Sequence, residues 1–151
     1  MTMPRVDFYV LTSTDPAARL RYACRLVEKA WRREHRIRVQ CDPGGDGAAF
    51  DDLLWTFADR SFVPHERLAA GGGPPGEAAP VVIAEGDASG PEDRDMLVNL
   101  ATGVLTDYQS YARIAEVVDA DDQRRRLGRD RFRFYRERGI EPQTHEIGDD
   151  S

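Results

Sequence analysis

The stretch VDFYVL at residues 6–11, followed three residues later by Asp15-Pro16, decides the fold. The hexapeptide is apolar and rich in β-branched and aromatic residues, the signature of a buried strand. Asp15 can cap a helix whose first position is Pro16, where a missing N–H costs nothing. Leu20, Ala23, Cys24, Val27 and Trp31 then recur at helical spacing and predict one buried stripe. A strand running straight into an amphipathic helix is the first part of a βαβ unit, and the alternation repeats outward. RIRVQC (36–41) alternates as a second strand, DPGGDG (42–47) is a turn, and a second helix is expected over 48–57. VVIAEG (81–86) and MLVNL (96–100) read as the third and fourth strands. A short helix near 108–114 leads to AEVVDA (115–120), a fifth. An Arg-rich helix and a polar tail close the chain. RLAAGGGPPGEAAP (67–80) is a loop and GPEDRD (90–95) a turn. This order predicts an α/β fold with a mostly parallel central sheet covered on both faces, as one domain over 1–140 plus a tail over 141–151.

Composition narrows the function. The chain has 151 residues, 40% hydrophobic and 32% charged, enough for a real core. No apolar run approaches the ~18 residues of a membrane span. The N-terminus lacks the long apolar core of an export signal, so a cytoplasmic location is expected. Two cysteines, Cys24 and Cys41, do not make a disulfide framework. A net charge of -6 argues against bulk, nonspecific DNA binding.

The catalytic and cofactor motifs fail. Gly45-x-Gly47-x-x-Phe50 is a near miss to the dinucleotide fingerprint, but its third position needs a small residue and it follows the second strand. The single lysine, Lys29, lies in the first helix, so no phosphate-binding lysine follows a Gly-rich loop. The cysteines and the histidines 35, 65 and 145 show no metal-ligand spacing. Ser61 and His65 lack a nucleophile elbow. The acid pairs Asp51-Asp52 and Asp121-Asp122 read as helix-start charges. No cofactor and no catalytic centre are expected.

Positive charge is instead concentrated in RRRLGRDRFRFYRERG (124–139). Eight arginines stand against Asp130 and Glu137, a surplus of six that leaves -12 for the rest of the chain. At 100° per residue, Leu127 and Phe134 fall on one face and are expected to meet the core. Arg125, Arg129, Phe132 and Arg136 fall on the opposite face, with Arg133 on its margin. Either this is a solvated basic face with Phe132 covered by neighbouring chain, or it is a groove for a short acidic segment with an apolar or carboxylate end. The second helix poses a similar choice. Phe50, Leu53, Leu54 and Phe57 make its buried stripe, while Trp55 points elsewhere and Phe62 follows in SFVPH. The pair fits a protein–protein hot spot, or Trp55 packs under the Gly/Pro loop.

FYVL, ACRLVEKAW, FDDLLWTFADRSFVPHE, PVVI, DMLVNL, EVVD and RFRFYRERG, in this order and spacing, closely resemble the chi subunit of bacterial DNA polymerase III. The resemblance implies a Rossmann-like three-layer sandwich without a nucleotide site, and a non-enzymatic role. It implies two partners. One is the psi subunit, which leads to the clamp loader, on a surface including Trp55 and Phe62. The other is the acidic, phenylalanine-ending C-terminal tail of single-stranded DNA-binding protein, on Arg125, Arg129, Phe132 and Arg133. A helicase is a further candidate for the psi surface, and nucleic acid is engaged only indirectly. The competing expectations are a nucleotide-binding enzyme and direct DNA binding by the Arg-rich helix.

Overall fold

A computed structural model of the chain describes residues 3–57, 62–68, 79–86 and 94–148. Seven strands form one sheet: β1 (Arg5–Leu11), β2 (Ile37–Cys41), β3 (His65–Leu68), β4 (Val81–Glu85), β5 (Met96–Asn99), β6 (Arg113–Val118) and β7 (Gln143–Ile147). Their order is β3-β4-β2-β5-β6-β1-β7, and every ladder is parallel. Helices α1 (Pro16–Arg32) and α2 (Gly47–Thr56) cover one face, and α3 (Asp122–Glu137) covers the other. The architecture is a Rossmann-like three-layer α/β sandwich.

Local chemistry explains the frame. Asp15 caps α1, its Oδ1 accepting from the Ala17 amide at 3.0 Å, and Pro16 occupies the first turn. Alternation along β1 divides its side chains between two cores. Tyr9 and Leu11 join Leu20, Cys24 and Val27 of α1 and Phe50 and Leu54 of α2. Val6 and Phe8 join Leu97, Ile114 and Tyr135 on the α3 side. Each fully buried apolar side chain of this size contributes about 1.5–3 kcal/mol.

Five strands were expected, and seven are present among the described residues. The two additions, β3 and β7, are the sheet edges, each paired on one side only. HERL and QTHEI are polar because an edge strand keeps one flank in water. Part of the polar stretch 141–151 is thus β7, running in register with β1 from Asp7–Gln143 to Leu11–Ile147. The helix expected near 108–114 is only a 3₁₀ turn at Tyr108–Ser110, after which Tyr111 is extended and leads into β6. The acid pairs divide as well. Asp121 caps α3 by accepting from the Arg124 amide at 3.0 Å. Asp51 lies inside α2 instead, with Oδ1 3.0 Å from His65 Nε2, a close charge contact without hydrogen-bond geometry. The Gly/Pro loop, apart from its ends, Ser61 and most of the 90–95 turn lie outside the described residues. Among the described residues no helix is long and apolar enough to cross a membrane.

Candidate functional site

The position of α3 is set by a buried acid. Glu116 on β6 is fully buried, and its carboxylate accepts from Arg131 Nε at 2.9 Å, Tyr135 Oη at 2.8 Å and Asn99 Nδ2 at 3.1 Å. Burial, and then the neighbouring Glu116 charge, push the Tyr135 phenol well above its ordinary range, so it stays a donor. Gly128 lets the helix approach β6 closely, since a Cβ there would meet Val118 Cγ2 at 3.1 Å. The inward line of α3 is therefore Gly128, Arg131 and Tyr135.

This phase corrects the helical projection. Leu127 and Phe134 are only partly buried on one flank of that line. Phe132 is not opposite the core but half-buried on the other flank, its ring 5.2 Å from that of Phe8. The projection centred the inward face on Leu127 and Phe134, whereas the buried Arg131–Glu116 pair goes with an inward face of Gly128, Arg131 and Tyr135.

Between α3 and the β1–β7 edge this phase leaves a cleft of about 240 Å³. Phe8, Val10, Val118, Gly128 and Phe132 supply its apolar surface, Arg125 and Arg129 its charge, and Thr144 of β7 its far wall. Of the predicted residues, Arg125, Arg129 and Phe132 come together here. Arg133 is exposed on the outer face of α3 and does not line the cleft. Phe8 and Val10 were legible as one face of β1. Thr144 was not, because its segment read as tail.

The arginines divide by what they hold. Arg124 grips Asp119 through two bonds of 2.8 Å, which push its guanidinium further up against partial burial. Arg131 serves Glu116, and Arg138 lies 3.5 Å over the Phe134 ring. Among the described residues, Arg125 donates only to neutral acceptors, the carbonyls of Asp119 and Leu11 at 3.2 and 3.4 Å. Among the described residues, the Arg129 and Arg133 guanidiniums have neither hydrogen bond nor ion pair. The cleft thus joins aromatic surface to guanidinium charge that, among the described residues, no carboxylate pairs with.

Trp55 and Phe62 are 52% and 72% exposed. The Trp55 ring sits 4.3 Å from that of His65 on β3, at the edge of the sheet remote from β7. Six strand spacings of ~4.8 Å place the two edges about 29 Å apart.

The crevice at the carboxyl ends of the strands, where α/β folds bind nucleotides, is lined by the chain's own ion pairs. Its wall includes Asp42, Asp46 and Asp121. Arg19 is held by Asp46 at 2.9 Å and by two carbonyls, and Arg124 and Arg131 are committed as above. The Glu85 carboxylate packs against Gly47, leaving no room for a Cβ. A phosphate would meet carboxylates here, with the neighbouring guanidiniums already engaged.

Comparison with known proteins gives the family. Residues 3–143 match the family described as DNA polymerase III chi subunit, HolC. The chain belongs to the DNA polymerase III chi subunit family. It is 39% identical over 145 residues to DNA polymerase III subunit chi of Pseudomonas aeruginosa, covering 96% of this chain and 98% of that one. Against subunit chi of Escherichia coli, identity is 30% over 146 residues, covering 94% and 97%. Against that of Haemophilus influenzae it is 26% over 146 residues, covering 94% and 96%. The chi subunit is a non-catalytic accessory subunit of DNA polymerase III, which places the chain in DNA replication.

Proposed function

We propose that this chi-family chain is a bridge. The α3 cleft holds the acidic C-terminal tail of single-stranded DNA-binding protein, and the Trp55–Phe62 surface holds the psi subunit and, through it, the clamp loader in the cytoplasmic replisome. The observation that carries the reading is the cleft's pairing of an apolar floor with arginines that no carboxylate among the described residues pairs with. An enclosed apolar space of ~150 Å³ accepts a benzene ring, so the cleft at about 240 Å³ has room for a terminal phenyl group beside a carboxylate. Arg125 and Arg129 offer forks to the acid, and Arg133 adds charge from the outer face.

A solvent-exposed tryptophan beside an exposed phenylalanine suits a partner that buries both. The distance between the two surfaces supports independent occupancy, because sites that share no neighbours act additively. Each contact can be weak, since many tails on one coated strand raise the effective concentration. A helicase competing for the Trp55–Phe62 surface is compatible with the same chemistry.

The test is fluorescence anisotropy with a labelled acidic peptide ending in phenylalanine, alongside co-purification with psi. Arg129→Ala is expected to weaken the peptide about fivefold at low salt, near the upper end for exposed charge pairs, and to leave psi unchanged. Trp55→Ala is expected to do the reverse. Peptide affinity unaltered by both Arg129→Ala and Phe132→Ala would sink the tail assignment. A shift of naked single-stranded DNA by the chain alone, abolished by Arg129→Ala, would favour direct nucleic-acid binding instead.

A further inference from the structure

We infer that Glu146 is an intrachain competitor for the tail cleft and sets its charge selectivity; the inference rests on the tail-binding reading given above. Side chains alternate along β7, so Glu146 projects from the same face as Thr144, which lines the cleft. The register partner of Glu146 is Val10, also a cleft residue. From the other side, Arg125 reaches the carbonyl of Leu11, the next residue of β1 and the partner of Ile147. Adjacent strands lie ~4.8 Å apart. Glu146 is therefore on the strand adjoining the one whose carbonyl Arg125 reaches, on the side of the cleft that a carboxylate bound by Arg125 would approach, with no ion pair between Glu146 and Arg125 among the described residues.

Packing gives Glu146 nothing to do. It is exposed, and it makes no ion pair or side-chain hydrogen bond among the described residues. β7 is anchored without it, by the β1 ladder and by His145 Nε2, 2.9 Å from the buried Asp7 carboxylate. What remains is electrostatic. An unpaired acid on one wall lowers the positive potential of the cleft and offers Arg125 an alternative to the ligand. Ligand carboxylates are steered to the α3 wall, near Arg129, and repelled from the β7 wall. Such a repulsive group raises selectivity at some cost in affinity.

The experiment is anisotropy with two labelled peptides. One is a run of aspartates ending in phenylalanine with a free carboxylate; the other is its asparagine counterpart with an amidated end. Glu146→Gln is expected to tighten the acidic peptide about threefold at low salt, the scale of one exposed charge interaction. Glu146→Lys should tighten it about tenfold, with both gains shrinking at 0.5 M salt. The neutral peptide should gain from neither. Equal gains for the neutral peptide would overturn the charge account. If neither Glu146 variant tightens the acidic peptide while Arg129→Ala still weakens it, this inference fails and the cleft assignment stands. If Arg129→Ala has no effect either, the cleft assignment fails, and this inference with it.

Discussion

Replacing Arg131 by methionine tests the device that positions α3. Arg131 is nearly fully buried and bonds Glu116 at 2.9 Å, with Nη1 donating to the Thr102 carbonyl at 2.9 Å. Methionine keeps most of the length and removes the charge, leaving the buried Glu116 carboxylate with only Tyr135 and Asn99 as donors. Removing one partner of a buried pair costs about 3–5 kcal/mol. In a domain whose whole stability is about 5–15 kcal/mol, that is a large share. At ~2–4 °C per kcal/mol for a chain of this size, Tm should fall by about 10 °C. Urea unfolding followed by circular dichroism reads the same loss as a shifted midpoint. A second substitution sharpens the test by a change of sign. In the native background Glu116→Gln should destabilise, because it strands the Arg131 cation. In the Arg131→Met background it should stabilise, because no charge then remains at positions 116 and 131 and the glutamine carbonyl still accepts from Tyr135. A Tm for Arg131→Met within about 2 °C of the native value, or destabilisation by Glu116→Gln in both backgrounds, would refute the reasoning.

Other expectations concern separate parts of the molecule. Gly128→Leu should crowd Val118 and obstruct the cleft, abolishing peptide anisotropy while psi co-purification persists. Trp55→Ala should weaken psi about thirtyfold by titration calorimetry, the scale of a hot-spot aromatic. Burial pushes the thiols of Cys24 and Cys41 up to about 12, so neither should react with Ellman's reagent at pH 8 until denaturant is added. Burial works against the Asp95 charge, but the bonds from His35 and the Arg36 amide outweigh it and hold the carboxyl below its ordinary range. A depressed folded value stabilises above the unfolded pKa of ~3.9 and is lost as pH falls through the folded one. Asp95→Asn should therefore lower Tm at pH 7, with the gap closing below about pH 4.

The core of the fold was legible because burial writes itself as apolar runs. VDFYVL, VVIAEG and MLVNL are strands shielded on both sides, and no other conformation accommodates them as well. The edges were not legible, since HERL and QTHEI carry charge wherever water reaches them. The cleft was half legible. Arg125, Arg129 and Phe132 could be grouped by period alone, but their true relation to the core depends on Glu116, a residue on another element. A helical projection has no means of knowing that a carboxylate waits beneath Arg131. Phe8 and Val10 carried the right alternation without any sign that a cleft would open beside them. Arg133 shows the converse, a position grouped with the cleft by its period that faces plain solvent once the helix is rotated.

The placement of the two proposed docking edges also has a consequence for how the molecule would bear force. A pull between partners held at β3 and at β7 runs across the strands, so each inter-strand ladder carries the full tension in series. The β3–β4 ladder is as short as any, with four pairs among the described residues, and unlike the equally short β2–β5 and β5–β6 ladders it lies at a sheet edge that water reaches. With partners held at those two edges, the chain would tear at that seam first, with the central strands still zipped.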